Sequence, residues 1–564
     1  MRDLAFPVSE IWRYALLYGY ETALRIRRGL MALRPQSTVS FGNANRQLLV
    51  APTDLRAADP LEAENLVSWR FALAGETLDT AGRPPFSMEM PSADFACLLA
   101  GFSWLRHLRA LRGEEANNFA RTVTLNFLRR NGRCKGPAWQ NAVAVERLSA
   151  WLSHSTVILK GADAAFYRRF VAAILRHEQV LRRRYPTMPH DETRLKAAIA
   201  LAMASISMDL SDHRKQQAAR RLDEALSKQI LADGGHIARN PQTLLDLLFQ
   251  LLPLRQTYIN LDIALPRQLV PAIDRIYAAL AFFRHRDGNL ALFNGAGPVL
   301  ATTLSALQRY DETGGSGFRA LPHTGFQRLD AGGTVLIVDA GNPLSTHLSK
   351  AAHAGALSFE MSSGTSRFIV NSGRPLHPDA ATIAMARSTP AHSAATIDDA
   401  SSMRFSRSEF LGPVAAGGIR RVEVERSETD DGDTLLMRHD GYLARFGLMT
   451  ERRLALSADG RVIAGRDSFR RRRDEMPAAT NRHQAIIRFH LHPSIWVMHE
   501  DADTIFMTAP DNESWLFSAP GLAPELEEDV FFAASAGMAA SRQIVITAPI
   551  GEHPDVEWRL ERLS

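Results

Sequence analysis

The feature that most constrains this chain is a change of hydrophobic period close to residue 300. From about Phe95 to Phe283 apolar side chains recur every three or four positions, as in "FACLLAGFSWLRHLRALR", "VAVERLSAWLSH", "FYRRFVAAILRHEQVLRRRY" and "RLKAAIALAMASISM". That spacing lines one face of a helix, and the short breaks between segments, such as "RRNGRCKGPAW" and "YPTMPHDE", predict a consecutive array of antiparallel helices. Beyond "RHRDGNLALFNGAGP" the pattern shifts to alternation and β-branched runs, as in "GFQRLDAGGTVLIVDAG", "TSRFIVNSG" and "HQAIIRFHLHPSIWVMHE". Many short strands broken by Gly, Asp and Asn predict an antiparallel sandwich. The expected class is α+β multidomain: an amphipathic helical segment in residues 1–50, a helical domain in 51–310 and a β-sandwich in 320–564. The stretch "QRYDETGGSGFRALPHTG" has the composition of a linker between the last two.

At 564 residues the chain is too long for one compact core, and 46% apolar with 23% charged residues is the balance of a folded globular protein. Its formal charge of +5 is a modest bias toward anionic partners. No recognition helix or phosphate loop points to nucleic acid; "FNGAGP" lacks the GxGxxG spacing and reads as a turn. Cys97 and Cys134 lie far apart and outside any CxxC pair, so neither a zinc knuckle nor a disulfide framework is expected. Glu10, Arg13, Glu21, Arg25, Arg27 and Arg28 interrupt the N-terminus, which does not read as a secretory signal. It reads as one amphipathic helix with a basic face, whose apolar side packs on the protein or lies on a membrane surface. No run is long enough to span a bilayer, and cytoplasmic residence is expected.

The stretches "GFQRLDAGGTVLIVDAG", "AHAGALSFEM", "FIVNSGRP", "ARSTPAHSAATIDDAS", "IAGRDSF" and "IRFHLHP", in that order, resemble the C-terminal domain of the heparinase II/III family of polysaccharide lyases. "DPLEAENLVSWRFALAG", "GFSWLRHLRAL" and "LADGGHIARNPQTLLDLL" look like the incomplete (α/α) toroid of the same family. The resemblance implies cleavage of an acidic, uronate-containing polysaccharide by β-elimination in a cleft between toroid and sandwich, and it favours the cell envelope as a location. That chemistry needs a group to neutralise the uronate carboxylate, a base to take the adjacent proton and an acid for the departing oxygen.

Here the sequence departs from the family pattern. The family's Asn-His pair falls on Glu192 and Thr193, its tyrosine on Thr243, and the first histidine of its HxHxD segment on Ala351. His353 matches the second. In several relatives that histidine belongs to a zinc site, whose other ligands fall here on Asn371 and His392; two imidazoles and an amide make a weak zinc site, so a hydrogen-bonded pair of His353 and His392 is expected ahead of a structural zinc on His353, Asn371 and His392. Glu192, His353 and His392 are the candidate catalytic residues; His236, Arg239 and Trp139 are the candidate glycan contacts, Arg239 because a guanidinium grips carboxylate in a fork. Two alternatives stand beside the lyase. One is a glycoside hydrolase using Glu192 and a second carboxylate such as Asp246; the other is a glycan-binding protein that has lost the reaction.

Overall fold

A computed structural model describes residues 8–32, 47–111, 113–132, 134–311 and 317–563. Its N-terminal half is helical. Helices Ala93–Gly101, Asn141–Ser153, Glu192–Ser207 and Pro241–Asn260 pack in succession against one another. Ala164–Arg184, Asp212–Gln229 and Leu269–Phe282 lie against them from outside. This inner and outer alternation is the expected incomplete toroid. The inner helix Glu192–Ser207 is Ala-rich and buries every residue from Ala197 to Ser207, because small side chains let helices approach it from several directions.

The C-terminal half is the expected antiparallel sandwich. One sheet orders its strands Val422–Thr429, Gly432–His439, Leu448–Ser457, Val462–Arg471, Asp555–Arg562, Ser514–Ser518, Thr504–Thr508 and Trp496–His499. The other runs Glu525–Phe531, Ala539–Pro549, Gln484–Leu491, Ser366–Val370, Phe359–Ser363, Thr334–Asp339, Phe326–Ala331 and Ala320–Leu321, with Ala395–Ile397 also paired to Gln484–Leu491. Alternating residues of both sheets share one core, in which Trp558 stacks on Phe359 at 5.8 Å and meets Phe489 edge-on at 4.7 Å. Gly465 has no side chain because a Cβ there would lie 2.1 Å from the Trp558 ring.

An ion pair is buried inside this sandwich. Arg452 grips Asp467 with two hydrogen bonds of 2.7 and 3.0 Å, and the same carboxylate accepts from the Trp558 indole at 3.0 Å. The remaining guanidinium nitrogen donates to the carbonyls of Leu357 and Ser393, so the pair also holds the loops near His353 and His392. Replacing Arg452 by Met strands a fully buried Asp467 carboxylate. A loss of roughly 3–5 kcal/mol is expected in denaturant unfolding, and an Arg452→Met variant as stable as the parent would show that the pair does not support the sandwich.

The two cores are joined: Leu321, Phe326, Val335 and Ile337 belong to the same apolar cluster as the toroid helices. The helix Val8–Ala32 rests on neither main core and packs on Phe410, Leu411, Val414 and Ala416. Among the described residues no helix is long and apolar enough to cross a membrane.

Candidate functional site

Two capped helices bring the toroid's candidate residues together. Asp191 caps Glu192–Ser207 and Asn240 caps Pro241–Asn260, so Glu192 and Thr243 both stand in first turns. Thr243 Oγ1 donates to Glu192 Oε2 at 3.3 Å. Lys196, one turn beyond Glu192, reaches its Oε1 at 2.5 Å and stands 4.0 Å from Asp246. Burial would raise the Glu192 carboxyl, but the charge and hydrogen bond of Lys196 outweigh it and hold the group below its ordinary value. Asp246 shifts the other way, because burial dominates there. For Lys196 burial opposes the charge, and the two carboxylates overcome it, raising the ammonium. Lys196 was not singled out in the sequence, although its i+4 offset from Glu192 was a readable signal.

The acidic character continues inward. A small recess is lined by Asp54, Arg56, Glu146, His154, Phe249 and Gln250 among others. His154 lies 3.3 Å from Asp54, and Arg56 lies 3.8 Å from Glu146. Burial lowers His154 and keeps it neutral, while its hydrogen bond and Arg56 hold Asp54 well below the ordinary carboxylate range against the effect of burial. The charges of Asp246 and Glu146 act on Arg56 and Lys196, so recess and helix tips form one electrostatic unit. His154 Nδ1 and Gln250 Oε1 have no hydrogen-bond partner among the described residues.

Three expected glycan contacts have other occupations. Trp139 is 3% exposed, stacks on His177 at 4.3 Å and donates its indole N–H to the Asn131 carbonyl, so it is a core residue and its face is closed to a sugar. His236 is buried between Gln229, which it meets at 3.0 Å, and the Ala238 N–H, which donates to its Nδ1. Burial pushes it down to about 4, leaving it neutral. Arg239 crosses to the sandwich: its guanidinium donates to Asp339 and to the carbonyls of Thr324, Gly325 and Asn342, and it lies over the Phe326 ring. Its fork is already filled by carboxylate and carbonyls of its own chain. Tyr258, further along the helix that carries Thr243, is buried in the toroid core.

His353 and His392 do meet, Nδ1 to Nε2 at 3.3 Å with perpendicular rings. His392 Nδ1 faces the Ser388 carbonyl at 2.7 Å, which makes it the donor there and leaves Nε2 to accept from His353. Burial pushes His392 down to about 4 and His353 down as well. Asn371 cannot complete a metal site: its Oδ1 accepts from the Ser393 N–H at 3.2 Å and its Nδ2 donates to Glu360 at 3.3 Å. No cluster of three His, Cys, Asp or Glu suited to a metal occurs among the described residues. Two imidazoles that share a proton, beside an amide already bonded on both sides, do not fit zinc, and the arrangement is the hydrogen-bonded histidine pair. Of the "RFHLHP" histidines, His490 is buried with its ring nitrogens on Asp529 and the Pro390 carbonyl. His492 lies nearer the surface against Arg367 and Ser494.

Residues 313–559 match the family model for the heparinase II/III-like C-terminal domain, so the sandwich half of the chain is a domain of that kind. Over 98% of its length it superposes on the crystal structure of heparan sulfate lyase HepC from Pedobacter heparinus, with 88% of that chain covered, TM-score 0.59 and 16% identity. A crystal structure of heparinase III matches 99% of the chain and 91% of its own at TM-score 0.70 and 13% identity. These likenesses are of fold. In sequence the chain is 28% identical, over 556 residues and 93% of each protein, to FtsZ-localized protein C of Caulobacter vibrioides (strain NA1000 / CB15N).

Two outcomes follow from this geometry. Arg239→Ala leaves Asp339 buried without its partner, so thermal unfolding should show a destabilisation of about 3–5 kcal/mol; unchanged stability would return Arg239 to the ligand-contact role. His236 and His439, each pushed down to about 4 by burial, stay neutral in the fold but protonate near 6.5 when unfolded. Between those values the unfolded chain binds more protons, so stability falls as pH drops from about 6.5 toward 4. Melting temperature followed across that window should decline, with a shallower slope in a His439→Gln variant.

Proposed function

We propose that this chain is a heparinase-fold protein that no longer performs β-elimination, and that it binds a polyhydroxylated ligand in its cleft while working in association with FtsZ. One observation carries the first part: at the position where the family places a phenol stands the Thr243 hydroxyl, hydrogen-bonded to a carboxylate held ionised by Lys196. A threonine hydroxyl is a poor acid and a poor base near neutral pH, and Ala351 supplies no proton-transfer group at all. The surroundings also oppose a uronate. Asp54 and Glu146 line the recess with Arg56, and Glu192 and Asp246 stand with Lys196 at the helix tips, so carboxylates outnumber cations where a lyase needs to neutralise a substrate carboxylate.

Binding is favoured by the unpartnered His154 Nδ1 and Gln250 Oε1 beside the serines of the recess, which suit hydroxyl groups. The hydrolase alternative is weakened by Lys196, which sits between the carboxylates it would need free. Association with FtsZ is supported by the name of the Caulobacter relative, whose likeness runs through both halves, and it accords with the cytoplasmic location expected from the sequence.

The purified chain incubated with uronate-containing and neutral glycans should produce neither unsaturated-uronyl absorbance nor new reducing ends. A rise in absorbance would overturn the loss of β-elimination, and reducing ends alone would mean hydrolysis. A fluorescent fusion of the full chain should coincide with FtsZ in cells; a uniform distribution would overturn that association.

A further inference from the structure

The helix Val8–Ala32 is seated on the sandwich by one side only. Leu17 is buried and, with Tyr14, packs on Phe410, Leu411, Val414 and Ala416. Tyr18 stacks on Phe410 at 5.4 Å, and its hydroxyl meets Ser408 Oγ at 2.8 Å. Arg25 donates to the Phe410 carbonyl at 2.6 Å and lies 4.0 Å over the same ring. These contacts fix which side of the helix faces outward.

On that outward side Trp12 is 74% exposed, Leu16 71% and Ile26 58%. With Gly19 and Ala23 between them, spaced by three or four residues, they form one stripe, flanked by exposed Ile11 and Tyr20. Such a continuous exposed apolar stripe marks an interaction surface. Its rim is cationic. Arg27 is exposed beside the stripe, while Arg13 faces Arg420 and Asp440. The one carboxylate of that group, Asp440, is occupied by the backbone N–H groups of Arg420 and Arg421. Trp and Tyr beside aliphatic side chains, bordered by guanidinium groups, match the layering of a lipid headgroup region over acyl chains. The helix is not apolar enough to cross, so its geometry suits lying in the surface plane.

We infer that the Trp12–Leu16–Ile26 face docks on an anionic phospholipid surface, with these side chains inserted below the headgroups and the neighbouring arginines against lipid phosphates. The full chain should co-sediment with vesicles of phosphatidylcholine mixed with phosphatidylglycerol, far less with phosphatidylcholine alone, and less as salt is raised. A Trp12→Glu/Leu16→Glu double variant should lose binding roughly tenfold or more with unfolding unchanged, since neither side chain belongs to a core. Arg27→Glu should weaken binding to the mixed vesicles with the same preserved fold. Absence of sedimentation with either vesicle, or undiminished binding by the double variant, overturns the inference. So does a lipid-free dimer that the double variant abolishes, which would make a second copy of the chain the occupant.

Discussion

Beside the shared apolar cluster, the two halves are clamped at the cleft by one side chain, the guanidinium of Arg239. It leaves the toroid at a residue with φ of +58°, an uncommon conformation that turns the chain just before the capped helix Pro241–Asn260. It then spends its donors on Asp339 and three carbonyls of the sandwich and covers the Phe326 ring. Room for it is made by Gly341, where a Cβ would stand 2.1 Å from the guanidinium. The clamp sits between the helix tip carrying Thr243 and the loop carrying His353. Both sides of the cleft are therefore tied to one buried, charge-assisted contact.

The same logic of internal satisfaction runs through the cleft. A lyase site keeps its polar groups turned toward a substrate and poised between protonation states. Here Glu192 is neutralised by Lys196, His236 is held neutral by burial between Gln229 and a backbone N–H, and the two sandwich histidines answer one another. Each arrangement lowers the energy of the resting fold and removes a group from chemistry. Two unsatisfied polar atoms line the recess, His154 Nδ1 and Gln250 Oε1, and they are placed to hydrogen-bond a ligand.

Much of the architecture was legible in the sequence because periodicity reports burial directly: the helical stripe up to Phe283 and the alternation after it correspond to toroid and sandwich. The meeting of His353 and His392 was legible through the motif order. Partners distant in sequence were not. Arg239 and Asp339 lie 100 residues apart, and nothing in "GGHIARN" shows that the fork is already occupied. Trp139 follows a glycine-rich turn like many surface tryptophans, and only the stacking of His177 from another helix closes its face. The recess was missed because Asp54 and His154 come from separate segments and form a pair only once the toroid closes.

These occupations give the family signature a structural role that does not depend on the reaction. In "RSTPAHS", Arg387 binds the carbonyls of Ser349, Ala352 and Pro413, and Thr389 donates to the Ala354 carbonyl. His392 bonds the Ser388 carbonyl, and Ser393 donates to Val370. Together they staple the loop that carries His353 to the edge of the sheet, while His490 of "RFHLHP" ties Asp529 to Pro390. Breaking any of these bonds strands a buried polar group, a cost that does not depend on whether a substrate is turned over. Glu192, Thr243 and Ala351 stand at the cleft, where replacing a proton-transfer group leaves the cores intact. The motif therefore marks the scaffold, and the state of the reaction is written in those few cleft positions.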